Sequence, residues 1–341
     1  MSVRRSCCWG ALALSVVLGA AGCGNDTPAT PDANINGWTI VHEKLPQALM
    51  SVWGASTSDV WVVGADIPGD TEGPLVLHWD GAVWTRHATG TTGDLWWVFG
   101  FENGPVYMGG KGGQLLRYQS GGFTVLTTPS IQTVYGIWGS SPDDLWAVGA
   151  DDGGASGGFV WRLQADTWID AAGLPAGIAS KAVWKVHGTA ANDVWMVGTS
   201  GLVLHWNGTA FEEEALGSTS LFTVHCAGAR CVAVGGFASD VIFERENGVW
   251  QDASTPTDPP MFGVCVTANI GYAVGDLGTM LERGETGWSG LDSPPTSETL
   301  HAIWVDPEGG VWSVGGRVRM SPLTTGVLVY RGAHPPTGEI Q

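Results

Sequence analysis

Three sets of side chains in the 341-residue sequence have types and spacings that suit chemistry. The first is the thiols, Cys7, Cys8, Cys23, Cys226, Cys231 and Cys265. A nucleophilic thiolate wants an activating base in an electropositive setting, and a zinc site wants paired Cys/His spacings; neither pattern is present. Cys226 and Cys231 suit a disulfide across a short hairpin in an oxidising compartment. The second set is carboxylates in glycine-rich loops: Asp66, Asp70, Glu72, Asp151 and Asp152, with Asp240 and Asp276 in shorter ones. Of these, Asp66, Asp70, Asp151 and Asp152 offer oxygen ligands to Ca²⁺, the one cofactor the sequence raises. No loop carries a recognised calcium pattern, so a solvated acidic rim is the plainer reading. The third set is aromatic. Trp96, Tyr135, Trp184, Phe222, Phe262 and His301, with Met50 in the remaining place, each stand two residues before an aliphatic: Val98, Ile137, Val186, Val224, Val264, Ile303 and Val52. No GxSxG, HExxH or glycine-rich phosphate loop is present, and no catalytic residue is assigned.

What positions these residues is a repeat. Val60-Trp61-Val62-Val63-Gly64 recurs as Leu145-Trp146-Ala147-Val148-Gly149, Val194-Trp195-Met196-Val197-Gly198 and Val311-Trp312-Ser313-Val314-Gly315, with looser copies ending at Gly110, Gly235 and Gly275. The seven closing glycines lie 37 to 49 residues apart, the period of a four-stranded propeller blade. In the first unit the predicted strands are A, 49–53; B, 60–63; C, 75–79; and D, 83–87. Asp59 and Asp193 are expected to bond local backbone N–H groups in the A–B turns. Asp80-Gly81, Asn207-Gly208 and Asn247-Gly248 are expected in C–D hairpins, where both residue types tolerate positive φ. No part of the chain beyond its first 22 residues sustains a 3.6-residue period, so the predicted fold class is all-β, a seven-bladed β-propeller of four-stranded blades.

The last unit supplies strands at 301–304, 311–314 and 327–330 and then stops. Residues 36–41 read as an orphan D strand, so the N-terminal strand is predicted to pair into the last blade and close the ring, leaving only short edges. The predicted propeller spans 36–333, with a C-terminal tail at 334–341. Side chains two apart on a strand point the same way, which leaves two roles for the aromatic column. Either it packs blade on blade, or it rings the mouth of the central channel as a site for a glycan or a protein partner. Cys265 falls at a strand A position held elsewhere by Trp, Phe or His and reads as core. Most of the 19 tryptophans mark repeated strand positions; Trp96, Trp97, Trp161 and Trp184 fall outside those slots.

Fifteen basic residues against 33 acidic ones give a charge of −18, which excludes a nucleic-acid partner for want of clustered cations. Residues 1–22 combine Arg4 and Arg5, an apolar run too short to span a bilayer and a small-residue ending, the layout of a secretory signal. Ala20-Ala21-Gly22-Cys23 resembles the lipobox of bacterial lipoproteins, which implies cleavage before Cys23 and lipidation of its thiol. Residues 23–35 are then a lipid-anchored flexible tether. The chain is expected to be an exported monomer, touching the outer membrane only through its anchor.

The repeats themselves resemble the BNR/Asp-box and photosystem II assembly-factor-like propellers, whose theme is W-x-V-G-x-x-G-x-(apolar)-x-x-x-D-G-x-x-W. The segment from Gly198 to Phe211 is a close copy, and 75–84 matches the second half. The Ser/Thr that opens an Asp-box is replaced by His78, Arg117 or His205. Tectonin-type lectin propellers share the Trp-rich look. The resemblance implies the propeller fold more than a function. With the lipoprotein signal and the missing catalytic motifs, the expected function is a non-catalytic cell-envelope recognition module for a glycan or protein partner, the alternatives being an envelope assembly factor and a glycoside hydrolase of sialidase-like architecture. The arginines a sialidase would need, among them Arg117, Arg162, Arg245, Arg283 and Arg331, fall at matched or adjacent repeat positions, as do His78 and His205, so they read as blade decoration.

Overall fold

A computed structural model describes residues 37–255 and 258–341. The readings placed on 1–36, Cys23 among them, lie outside the described residues. Seven four-stranded antiparallel sheets follow one another along the chain. Their A strands are Leu49–Ser56, Leu95–Gly100, Thr133–Ser141, Val183–Ala190, Leu221–Ala227, Met261–Val266 and Thr299–Val305. In the seventh blade the fourth strand is Trp38–Gln47, which pairs with Thr324–Arg331 from Trp38 opposite Arg331 to Gln47 opposite Thr324. The ring is therefore closed by the N-terminal strand. The last residues lie along blade 1: the Trp84 indole N–H donates to the Pro336 carbonyl at 2.8 Å, and Gln341 exchanges two backbone bonds with Trp84 and Arg86. They cover a D-strand edge that would otherwise present unpaired backbone groups.

The core lies between blades. Val52, Val98, Ile137, Val186, Val224, Val264 and Ile303 each belong to a different one of seven apolar clusters. The B-strand tryptophans Trp61, Trp146, Trp195 and Trp312 join four of these clusters, and none is more than 3% exposed. A large flat ring at this position fills four of the seven wedges between twisted sheets, and its N–H needs an acceptor once buried.

For Trp61 and Trp195 that acceptor is the aspartate at the head of the B strand; Trp312 donates instead to Asp306 in the A–B turn at 3.0 Å, and the Trp146 N–H has no partner among the described residues. Asp59 accepts the Trp61 indole N–H at 3.0 Å and bonds His78 Nε2 at 2.8 Å, while the His78 ring stacks on Trp61 at 4.1 Å. Asp193 repeats this with Trp195 and His205 at 2.9 and 2.8 Å. In blade 3, Asp144 holds Arg162 at 2.9 Å and the guanidinium lies 4.6 Å from the Trp146 ring centroid. The expectation that these aspartates bond local backbone N–H groups is corrected: residues 59 and 61 are two apart on one strand, so they share a face, and His78 is the cross-strand partner of Trp61. The hydrogen bond from His78 is the main cause holding the Asp59 carboxyl below the ordinary carboxylate range. His78, His205 and Arg162 are thus buttresses of the blade.

The C–D hairpins also differ in part. Of the three predicted pairs only Asn247-Gly248 has both residues at positive φ, 51° and 83°. Asp80 and Asn207 instead use their side-chain oxygens to accept the N–H groups two and three residues on, leaving positive φ to Gly81 and Gly208.

Candidate ligand-binding site

Every A strand carries a β-bulge near its start, and the bulged residue is the aromatic-column residue. In blade 1 Leu49 pairs with Gly64 and Ser51 with Val63, so Met50 has no partner; in blade 4 Val183 pairs with Gly198 and Lys185 with Val197, skipping Trp184. The same skip occurs at Trp96, Tyr135, Phe222, Phe262 and His301. A bulge breaks the period-two rule and re-aims a side chain. The inference that residues two apart face alike therefore fails at this column: the aliphatic column packs between blades, and the bulged column turns to the channel mouth.

The bulge also accounts for the repeat's closing glycine. Each of the seven sits on strand B beside the bulge, where a Cβ would overlap the backbone carbonyl of Ala48, Asp94, Thr133, Ala182, Ser220, Pro260 or Thr299. At Gly110, Gly198 and Gly275 φ lies near −160°, ordinary extended backbone. Close approach, not a positive φ, demands glycine there.

Six aromatic rings close a circle around a cavity of about 660 Å³. Their centroids are 5.4 Å apart from Trp96 to Tyr135, 4.9 Å from Tyr135 to Trp184, 6.1 Å from Trp184 to Phe222 and 5.3 Å from Phe222 to Phe262. Phe262 to His301 is 6.2 Å and His301 to Trp96 is 5.9 Å, across the gap that Met50 leaves by being fully buried. None of the six belongs to the seven clusters built on the aliphatic column; Met50 packs with Ala48, Val318, Leu323 and Trp96, and Tyr135 with Ala150, Ala182, Trp96 and Trp184, in two smaller clusters. Of the four tryptophans outside the repeat slots, Trp96 and Trp184 line the cavity. Trp161 is core, stacked on Phe159 at 3.8 Å, and Trp97 packs against the inter-blade core.

His301 Nδ1–H donates to the Met50 carbonyl at 2.6 Å, which leaves Nε2 as an acceptor, and burial lowers its pKa to about 4. The unforeseen member of the lining is Lys185. It is 5% exposed; its ammonium donates to the Tyr135 carbonyl at 2.8 Å and lies 4.6 Å from the Trp97 ring centroid. Burial pushes its pKa from 10.5 down to about 7. The other three lysines, Lys44, Lys111 and Lys181, each hold a carboxylate, whereas Lys185 has none among the described residues. A signal for it exists in the repeat: the equivalent positions hold Ser51, Trp97, Gly136, Thr223, Gly263 and Ala302, so a lysine in this column is the anomaly.

The loop carboxylates do not converge. Asp70 is held by Arg86 at 2.6 Å and by Gln47; Asp66 accepts the Gly93 N–H at 2.6 Å. Asp151 accepts from Gln132 and Ser156, and Asp152 pairs with Lys111 at 3.1 Å. Among the described residues no three acidic, histidine or cysteine side chains are placed to hold a metal ion. Each carboxylate is instead held by local N–H or O–H donors or by a cation, which is what a set of loop staples requires. Near the far end of the A strands, Cys226 and Cys231 are cross-strand partners with their sulfurs joined at 2.05 Å. Cys265 is buried, and burial pushes its thiol up to about 12, so it carries no thiolate chemistry.

No protein-family model matches the sequence, and no curated protein matches it. Solved structures do match. "YCF48 bound to D1 peptide" superposes with a TM-score of 0.63 at 13% identity, covering 90% of this chain and all of that one. The WD40 β-propeller domain of Doa1 gives 0.65 at 11%, covering 89% and 99%. The extracellular domain of a hybrid two component system from B. thetaiotaomicron gives 0.62 at 12%, where this chain spans 40% of the other. At such identities the likeness is one of fold, and it agrees with the strand pairing: the chain is a seven-bladed β-propeller of four-stranded blades, closed by its N-terminal strand.

Proposed function

We propose that this propeller is a non-catalytic recognition module of a bacterial cell envelope, exported by residues 1–22, anchored by lipid on Cys23, and binding a polypeptide segment of a partner at its aromatic-ringed mouth. The observation that carries the reading is the circle of six aromatics, which the bulges turn away from the seven aliphatic-column clusters and around a cavity of about 660 Å³. Exposed aromatic edges and faces that the core does not use are the usual material of a recognition site. A peptide is favoured as ligand because a structure that matches 90% of the chain holds a D1 peptide on the same fold. Matching extracellular domains of bacterial proteins support export.

Two outcomes test this. Cys23→Ser is expected to move the protein from the membrane fraction to the soluble fraction of its native host and to abolish labelling by palmitate. Retention in the membrane would overturn the anchor. The double variant Trp96→Ala/Trp184→Ala is expected to lose at least tenfold in capture of the envelope partner while its melting temperature falls by only a few degrees, because both rings are half-buried and stand outside the seven clusters built on the aliphatic column. Binding that survives the double variant places the partner elsewhere. A glycan array run on the same pair of proteins identifies a sugar ligand, should capture depend on glycans.

A further inference from the structure

A buried ammonium is expensive, and proteins ordinarily surround one with a carboxylate. Lys185 breaks that rule inside the one cavity ringed by aromatics: it has one backbone carbonyl and one indole face as partners, and one of its three N–H donors is used. The charged groups that line the same cavity are already committed. Lys111 pairs with Asp152 and Arg319 with Asp276, while Asp94 accepts the Asp66 N–H at 2.9 Å. His301 is neutral and presents an acceptor nitrogen, so it adds no negative charge. What is missing is an anion in contact with Lys185: Asp94 and Asp152 line the same cavity, yet no carboxylate among the described residues stands within ion-pair distance of this ammonium.

We propose that Lys185 is the anchor for a ligand carboxylate, and that the mouth takes the free carboxylate end of an apolar ligand whose flanking group lies among Trp96, Tyr135, Trp184, Phe222 and Phe262. This rests on the reading above that the mouth binds a partner's segment, and it narrows that segment to a carboxylate terminus. A carboxylate accepts two of the idle ammonium hydrogens as charge-assisted bonds in a desolvated setting. The aromatic circle supplies flat apolar walls for the group next to it. The same chemistry has two sources, the C-terminus of a polypeptide and a free aromatic acid of low molecular weight.

Because the free amine has a pKa of about 7, a bound carboxylate must raise it, so binding takes up a proton. Near pH 8 the uptake approaches one proton per ligand, and affinity falls as pH rises further. At pH 6 the amine is already charged, and the uptake vanishes.

The test is titration calorimetry on the full chain with matched pairs of ligands. One pair is a pentapeptide ending in phenylalanine, as free acid and as C-terminal amide. The other is N-acetylphenylalanine and its amide. Both free acids are expected to bind, the amides roughly ten- to hundredfold more weakly, as loss of a hydrogen bond to a charged group implies. Lys185→Met is expected to abolish the acid–amide difference and the proton uptake measured in two buffers of different ionisation enthalpy. A peptide acid that binds while N-acetylphenylalanine does not assigns the site to a chain terminus, and the reverse assigns it to a free acid. Equal affinity for acid and amide overturns the carboxylate anchor, as does the absence of binding by either acid at millimolar concentration. If the envelope partner is still captured through Trp96 and Trp184 in that case, the recognition reading stands and only the Lys185 inference falls.

Discussion

Lys185→Met raises the melting temperature at pH 6, and the gain shrinks as the pH is raised toward 10. Lys185 is 5% exposed, has no carboxylate partner among the described residues, and is held by one carbonyl and one indole face. The unfolded chain carries this lysine with its ordinary pKa of 10.5, the folded chain with one of about 7. Below pH 7 both states are charged, so the folded state bears the full cost of the buried ammonium. Between those two values the folded state binds fewer protons than the unfolded one, so wild-type stability rises with pH across that window. Methionine has a similar shape and no charge; it gives up the ammonium's bond to the Tyr135 carbonyl and its contact with the Trp97 ring, and it removes the desolvation cost of the charge. Replacing a buried charge by an apolar side chain of like volume gains roughly 1–4 kcal/mol, a few degrees in a chain of this size. Thermal unfolding of both proteins from pH 6 to pH 10 measures it. A Met variant less stable than the wild type at every pH would make Lys185 a structural residue and remove the reason to look for its anion. A variant that is more stable yet fails to bind shows a residue retained at a cost in stability for function.

The second large effect is expected at Gly149. Its Cβ would overlap the Thr133 carbonyl oxygen and lie 2.6 Å from the Phe159 ring, so Gly149→Ala forces strand B away from strand A beside the bulge that presents Tyr135. Overpacking against backbone costs about 3 kcal/mol, and the expected fall in melting temperature is on the order of 5 °C. The control is Gly122→Ala, on an exposed outer strand where a Cβ meets nothing within 4 Å; it is expected to change the melting temperature by less than about 1 °C. Gly149→Ala is also expected to weaken ligand binding, since Tyr135 touches both Trp96 and Trp184. Calorimetric scans of the three proteins decide it. Equal melting temperatures for Gly149→Ala and wild type would mean that the repeat glycine has no steric role and that bulge and glycine are unrelated.

Much of the molecule was legible from spacing. The motif from Val60 to Gly64 and its copies marked the B strands in all seven blades, and the orphan segment near Trp38 marked the closing strand. His78 and His205 read correctly as repeat decoration because they meet equivalent neighbours in blades 1 and 4, an aspartate at the head of strand B and the B-strand tryptophan. The turn chemistry of Asp59 and Asp193 did not, because their acceptor capacity is spent on Trp61, His78, Trp195 and His205 across the sheet. The aromatic column was visible as a column, but its role was not. Trp96 and Val98 stand two apart and look as if they share a face, yet a bulge lies between Leu95 and Trp97.

The sequence alone therefore determined what repeats: the number of blades, the order of strands within each, the closing strand, and the glycine after every B strand. A period is a local property, and each unit must bury the same faces, so it is written in residue types and intervals. The tertiary structure decided which side chains meet at the mouth. Strand pairing shows where a residue is left unpaired, and Lys185 acquires its meaning from Tyr135, 50 residues away in the neighbouring blade, and from the absence of an acid beside it. Direction at a bulge and the absence of an acid beside a buried ammonium are set by partners distant in the chain, and no interval along the sequence records them.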